Sequence, residues 1–592
     1  MFNRRDVLKM GVAAAGTGLA AKFARGQTPQ SGLVFPQTFQ PSYVAQPSPP
    51  ATPFIAPLNV MPIAKPVPAS ALVPGPDPLA HQRYADFLPQ KFYIQHINEF
   101  RWQYHPEPPY NQGSWNWGFN GITPGETFIV NYGEPILVRR YNDLPPVGAS
   151  NVNFALPSVT IHTHNGHQAS ESDGIPQDYF DPGQFWDYHY GNFPAGNDPT
   201  EIMTTLWYHD HREDFTAPNV YAGLTGFYLY FDSLDSNNEN DPNPNAFRLP
   251  SGKYDVPLIL HDIMFDQNGQ CVWDFSNPAP NSTGFPSPNY TTFGMIGDRY
   301  TVNRTIQPYF QVERRKYRFR ILNGGPSRLY NLSLQTDSTK PGSNLGTNFV
   351  VLSNDGNMYA LPRVQNNIEL WVAQRQDVVI DFSFFSPGDH VYLVNRLAMK
   401  EDGSGPNGRD LDPGDQIMRF DVVELQGVDN SRVPLQLRAQ PTVDLSEVRR
   451  ERLFVFDYTN GLFTVNGKLF DANRVDAAIE QGSAEIWTFR NAGNSWVHPV
   501  HTHFEEFHIL EVNGKPVGPL NPLFVKKDVV ALGPNMEVKF FGRWRDFLGK
   551  HVMHCHNVVH EDHAMMIRWD IVPPGQGDNP GDNSSLVRLV TP

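Results

Sequence analysis

Along most of the chain the apolar positions come in short runs rich in Val, Ile, Phe and Tyr, each closed by Gly, Pro, Asn or Asp. "KFYIQHI", "ETFIVNY", "PILVRRY", "SVTIHTH" and "GFYLYFD" lie in the first part, starting at Lys91. "VPLILHDIMF", "KYRFRILN", "NIELWVA", "DVVIDFS" and "HVYLVN" follow, and "LFVFDY", "AEIWTFRNA", "EEFHILEVNG" and "EVKFFGRW" complete the series. Runs of this length and composition predict strands joined by turns, hence β-sandwiches rather than helical bundles. One polar stretch, "KEDGSGPNGRDLDPGDQ" (Lys400 to Gln416), reads as an interruption of the strand pattern.

The chain of 592 residues is too long for one core. The polar segments "DSLDSNNENDPNPN" and "LQGVDNSRVP" place boundaries near 235 and 435. Sandwich domains are therefore expected over 86–235, 236–435 and 436–575, followed by a tail over 576–592. No internal repeat stands out.

Residues 27–85 are proline-rich, which excludes a helix or a central strand and predicts an extended arm, free or wrapped on the body. Ahead of it, "NRRDVLKMGVAAAGTGLAA" sets Arg4 and Arg5 before an apolar run too short to span a bilayer. That layout resembles a twin-arginine export signal over 1–26, with cleavage before Gln27. A soluble protein outside the cytoplasm, periplasmic or extracellular, is expected.

Composition narrows the partners. A formal net charge of −15 with no basic block argues against nucleic acid and anionic membrane surfaces. Exported chains often carry disulfides, but this one has only Cys271 and Cys555. Cys271, in "NGQCVWDF", reads as a small strand residue near a turn, and no disulfide is expected.

The candidate chemistry is concentrated in histidine. "HVMHCHNVVHEDHAMM", residues 551 to 566, holds five of the twenty histidines, one of the two cysteines and three methionines. Four segments carry two histidines separated by one residue: His162/His164, His209/His211, His501/His503 and His554/His556. Alternate side chains of a strand share a face, so each pair sets two imidazoles side by side. By the same parity Cys555 faces away from His554 and His556, and His498 tends to face away from His501 and His503. His560 and Met565 follow in the next loop. Two His, one Cys and a weak Met is the donor set of a blue-copper electron-transfer site, whereas structural zinc favours close Cys pairs that this chain lacks.

The segments "HTHNG", "WYHDH", "HPVHTH" and "HCHNVVHEDHAMM" resemble the four copper-binding signatures of multicopper oxidases. "FNGITPGET", "VERRKYRFRILNGGPSR" and "ESDG" are closest to bacterial three-domain members of the spore-coat laccase, bilirubin oxidase and phenoxazinone synthase type. The likeness runs from about residue 90 to 572. One departure is Asn165, which stands between His164 and Gly166 where the family has Gly directly after the histidine.

The resemblance implies an all-β chain of three cupredoxin-like Greek-key sandwiches with four copper ions. A type 1 copper would take His498, Cys555 and His560, with Met565 axial and Met566 its rival. A type 2 copper would take His162 and His501. A type 3 pair would share His164, His209, His211, His503, His554 and His556, with Cys555 joining the two centres through its neighbours. Asp173 and Glu561 match the family's proton-delivery carboxylates. His167 and His563 are expected beside the ligands or at the surface, Asp210 in a structural role, and the middle domain, without ligands, as a spacer and a wall of the substrate site.

The function so implied is one-electron oxidation of phenols or aromatic amines coupled to four-electron reduction of O2 to water, by a monomer. Bilirubin oxidation, and Mn(II), Fe(II) or Cu(I) oxidation, are the alternatives on the same scaffold. Thirteen scattered Met argue against a copper-tolerance branch with a Met-rich insert. A two-domain copper nitrite reductase does not explain four histidine pairs. A structural or copper-sequestering coat protein has no use for the Cys555 junction.

Overall fold

A computed structural model describes residues 47–273, 290–291, 293–337, 349–400, 402–579 and 586–590. Arg4, Arg5 and the rest of the export segment lie outside them. Among the described residues, strands group into three two-sheet sandwiches in chain order. The first pairs the sheet Ser114–Phe119, Lys91–Trp102, Ile136–Asn142, Phe185–Tyr190 with the sheet Phe128–Asn131, Thr225–Phe231, Thr205–Asp210, Ile161–His164. The second lies between Asp255 and Val423, and the third between Val448 and Leu589.

Alternation builds each core. In Lys91–Trp102 the inward positions Tyr93, Gln95 and Ile97 are buried and their neighbours less so, the pattern of a strand with one face on a core. Tyr93, Ile97, Trp117, Phe119 and Val138 fill the first sandwich, and Leu258, Phe319, Ile321, Val378 and Phe420 the second. The third is aromatic, with Phe454, Phe456, Trp487, Phe489 and Trp569, and Cys555 and Met565 are part of that core.

The stretch Lys400 to Gln416 is not a break. Pro406–Val423 is a strand pairing antiparallel with His390–Met399, and the register shifts between Leu393/Val394, Asn395/Leu397 and Leu397/Met399. Bulges of this kind absorb extra residues and bend the strand, so a Gly- and Asp-rich segment pairs although its composition reads as a loop.

From residue 47 the proline-rich arm is wrapped on the body. Leu58 enters the second core, Ser48 donates from its N–H to Asp298 at 2.8 Å, and isolated bridges join Ile63 to Thr127 and Val67 to Phe92. Near its end, Gln82 donates to Leu548 O at 2.9 Å and Arg83 pairs with Asp546 at 3.0 Å, which ties the arm to the third sandwich. The linkers are equally fixed, with Glu239 at 2.6 Å and Asp429 at 3.0 Å both on Arg315.

The first and third sandwiches meet directly. Ser170 Oγ donates to Lys550 O at 2.7 Å. Asp562, in the short helix Val558–Asp562, accepts from the backbone N–H of Thr216 and Ala217 at 3.0 and 3.1 Å. These N–H groups open the helix Thr216–Ala222 and have no partner within it. This contact fixes the distance between the histidine strands of the two ends of the chain.

Candidate metal centre

In the first sandwich Ile161–His164 runs antiparallel to Thr205–Asp210 with His162 opposite His209. In the third, His498–Thr502 runs antiparallel to Gly549–Cys555 with His501 opposite His554 and Val500 opposite Cys555. Two ladders thus each present a double row of imidazoles, and the domain contact brings the rows face to face. The Nε2 atoms of His211, His503 and His554 converge, at 3.1 Å from His211 to each of the others and 3.4 Å between His503 and His554. The rings of His164, His209 and His556 form a second group with centroids 5.1 to 5.7 Å apart. The His162 and His501 rings lie 5.7 Å apart beside them.

On the opposite face of the Cys555 strand, as parity predicts, Sγ lies 3.4 Å from His498 Nδ1 and 3.5 Å from His560 Nδ1, which are themselves 3.2 Å apart. Met565 shares the buried core with Cys555, and its backbone carbonyl accepts a 3.1 Å hydrogen bond from the Cys555 N–H. Met566 packs elsewhere, against Phe470, Val552 and Ala564. The geometry therefore separates the two methionines that the sequence leaves as rivals.

The donor atoms fit metal. His162, His209 and His501 Nε2, His164 Nδ1 and both ring nitrogens of His556 are buried without a hydrogen-bond partner, a costly state for polar atoms unless something else binds them. Burial, with neighbouring rings adding to it, holds His164, His209, His501, His503 and His556 far below the ordinary imidazole pKa. Burial likewise pushes His211 and His498 down to about 3. Neutral imidazoles are the form that ligates metal. Burial keeps Cys555 a thiol, and cation binding is what converts a ligating thiol to thiolate.

Carboxylates orient the rings from behind, as around many metal sites. Asp173 Oδ2 is 2.9 Å from His503 Nδ1, and its Oδ1 is 3.3 Å from His162 Nδ1. Glu561 stands 2.9 Å from His554 Nδ1 and 3.4 Å from His211 Nδ1. Burial opposes charge on Asp173, yet His503 and His162 outweigh it and hold the carboxyl well below its ordinary value. Glu561 is likewise held at about 2, His554 and His211 outweighing burial. Gly174 lets Asp173 approach: at φ +74 its backbone lies so close that a Cβ would meet His162 N at 2.5 Å. Asn165 adopts a left-handed φ of 62°. Asn tolerates this better than other side chains, which explains how it stands where the family has Gly.

His167 and His563 are outside the clusters. His167 is buried against Asp546 at 3.0 Å, and His563 turns back to Val559 O at 2.5 Å. Asp210 faces the backbone of Thr160 and Arg212, at 3.1 Å each. Cys271 forms an isolated bridge with Phe265.

Three further residues escape sequence reasoning. Asp528 Oδ1 is 3.1 Å from His164 Nε2, its carbonyl is 2.9 Å from His501 Nδ1, and Arg375 of the middle sandwich grips its carboxylate at 2.7 and 2.6 Å. The middle domain thus reaches the histidine cluster through Arg375, a contact beyond the spacer and substrate-site wall expected of it. His551, on the His554 strand, sets Nδ1 3.3 Å from Asp173 Oδ2 and stacks on Trp569 at 4.9 Å. No local pattern in "KKDVV" or around Arg375 marks these contacts.

Two multicopper oxidase family models match residues 103–233 and 437–575, the stretches that hold the histidine ladders. Bilirubin oxidase of Albifimbria verrucaria is 33% identical over 472 residues, covering 78% of this chain and 74% of that protein. This chain belongs to the multicopper oxidase family. It is therefore an oxidoreductase, and the family binds copper. A laccase of Bacillus subtilis is 29% identical over 77% of this chain and 90% of its own length. Among solved structures, a multi-copper oxidase from Pediococcus acidilactici superposes with a TM-score of 0.68 at 22% identity, over 91% of this chain and 95% of that one. A metallo-oxidase from Campylobacter jejuni superposes with a TM-score of 0.64 at 19% identity, over 88% and 96%. Both confirm the all-β fold of cupredoxin-like sandwiches. Among the described residues no helix of this multicopper oxidase is long and apolar enough to cross a membrane.

Proposed function

We propose that the chain is an exported, monomeric oxidase of laccase type, taking electrons singly from phenols or aromatic amines. When bound, four coppers supply the redox chemistry, one accepting single electrons and three reducing O2 to water. His498, Cys555, His560 and Met565 would hold the first. His162 and His501 would hold the type 2 ion, and His164, His209, His556 and His211, His503, His554 the type 3 pair. Cys555 is covalently continuous with His554 and His556, so one tripeptide spans both donor sets. Asp173 and Glu561 fix the rings of His162, His503, His554 and His211, and their carboxylates would supply the protons that water formation consumes.

The observation that carries the substrate class is the covering of His560. Phe463 stacks on its ring at 3.8 Å, and the backbone carbonyl of Phe293 accepts from its Nε2 at 2.8 Å. Half-buried Tyr458, Trp496 and Phe293 extend this aromatic surface outward, Tyr458 and Trp496 with centroids 4.5 Å apart and Phe293 and Trp496 5.4 Å apart. Such a surface suits a flat aromatic reductant through stacking. Bilirubin oxidase among the relatives keeps a tetrapyrrole in contention. An oxygen-uptake panel of phenols, aromatic amines, bilirubin, Mn(II) and Cu(I) tests the reading. Uptake with phenols or amines at a kcat/KM above the others is expected, and uptake confined to metal ions would overturn it.

A further inference from the structure

A cavity of about 710 Å³ opens between the second and third sandwiches, apart from the histidine clusters. Its lining is unlike that of a pocket for an apolar aromatic, which is predominantly hydrophobic. Six carboxamides face it: Asn354, Gln365, Asn366, Asn367, Gln374 and Gln376. Half-buried Trp371 supplies aromatic surface, whereas Tyr359 is buried in the wall.

The walls are set before any ligand arrives. Arg363 donates to the carbonyls of Pro519, Leu520 and Asn521 at 3.0 to 3.3 Å and lies 4.5 Å over the Tyr359 ring, which pins the domain-three wall. Tyr359 OH donates to Pro522 O at 3.0 Å. Gln374 accepts from Trp371 N–H at 2.9 Å, and Gln376 donates to Glu369 O at 2.9 Å. Gln376 is 8% exposed, and its Oε1 is buried with no partner in the protein.

Charge disfavours an anionic ligand, since the exposed carboxylate of the lining, Glu369, offers acceptors for hydroxyls and repels anions. Lys527 is buried and held by Asp355 at 2.8 Å and Asn354 at 2.5 Å, so it offers no free cation. Carboxamides both donate and accept, as hydroxyl groups do, and an indole presents a flat apolar face. A ligand with hydroxyl edges and an apolar ring face satisfies both. We propose that this groove binds a neutral saccharide chain, with Trp371 as the stacking platform and the carboxamides reading hydroxyls. Its place gives the binding a use. Trp371 packs in one apolar cluster with Val497, the residue before His498, and Ala531 of the lining pairs with Pro499, the residue after it. A saccharide held there anchors the oxidase to a polymer with the His498 side of the molecule close by, whichever reductant is used.

The test is calorimetric titration of the full-length copper-loaded enzyme with cellohexaose, xylohexaose and mannohexaose. At least one is expected to bind with a Kd of about 1 mM or tighter. The exposed-site double variant Asn366→Ala/Asn367→Ala should weaken that binding about tenfold while oxygen uptake with a small phenol stays unchanged. Trp371→Ala should abolish it, with circular dichroism checking that the variant is folded. Failure of all three sugars to bind, or binding indifferent to the double variant, overturns the proposal. So does capture of an unstructured hydrophilic peptide in place of the sugars.

Discussion

The Asp173 carboxylate of the first sandwich lies 2.9 Å from the His503 ring of the third, so one side chain bridges the two halves of the copper-binding region. Its Oδ1 faces His162 at 3.3 Å, and Glu561 repeats the arrangement with His554 and His211. Each carboxylate orients rings from both ends of the chain.

Replacing these oxygens tests orientation against proton supply. In Asp173→Asn or Glu561→Gln the amide oxygen still accepts from an imidazole N–H, so copper content should stay near that of the parent. An amide carries no proton to oxygen. Reduction of the blue centre by substrate should proceed at near-normal speed, while its return with O2 slows by about 10²-fold, worst at higher pH. Stopped-flow absorbance separates the steps. Slow bleaching with normal return would move both carboxylates to the substrate side.

A second ionic link between the same domains makes stability depend on pH. Glu201 of the first sandwich pairs with Lys526, and with Arg545 at 3.0 Å, both in the third. Burial raises the Glu201 pKa, but the two cations overcome it and hold the group at about 2. Because the folded value is below the unfolded one, about 4.3, the pair stabilises the fold above that unfolded value. The contribution is lost as pH falls through the folded one. Glu201→Gln, which leaves buried cations short of a partner, should cost about 3 kcal/mol at neutral pH. Its melting temperature, measured at matched copper loading, should converge on that of the parent between about pH 4 and 2. A gap independent of pH would show that packing, not charge, supplies the effect.

The histidine pairs are legible because strand parity turns spacing directly into facing. His162 and His164, or His554 and His556, need no long-range knowledge to be set side by side, and Cys555 between two histidines must face the other way. Asp528, Arg375 and His551 are illegible for the converse reason. Arg375 and Asp528 are brought together by the packing of separate domains, as are His551 and Asp173, and nothing in their neighbours announces it. Pro406–Val423 misleads in a third way. Its Gly and Asp composition belongs to the exposed, bulged end of a hairpin, where ladder pairing with His390–Met399 outweighs intrinsic preference. Residues 27–46 of the proline-rich arm lie outside the described residues; from residue 47 its wrapping rests on contacts such as Leu58 in the second core and Ser48 on Asp298, which composition does not announce.

Arg4 and Arg5 lie outside the described residues, and their role is tested in cells. Changing both to Lys keeps the charge and removes the guanidinium pair. Retention of folded, active oxidase in the cytoplasm is the expected outcome, read by fractionation and oxygen uptake. Undiminished export of the double variant would discard the twin-arginine reading and leave the enzyme assignment untouched.

Cys555→Ser isolates the junction between the two centres. Cys555 Sγ sits 3.4 and 3.5 Å from the two histidine nitrogens, buried in a core with Met565, and serine is close to it in volume, so the fold should persist. The hydroxyl is a poor ligand for a soft metal site, and the blue absorption should disappear. The ladder partners His501 and His554 are untouched, and so are the carboxylates behind them, so about three coppers per chain should remain. With the first electron acceptor gone, oxidation of phenols should fall to background, although a strong reductant supplied directly should still reduce the remaining ions. Metal analysis, visible absorption and electron paramagnetic resonance on one preparation read all three consequences. Retention of the blue band, or loss of every copper with it, would refute the division of ligands between the two faces of the Gly549–Cys555 strand.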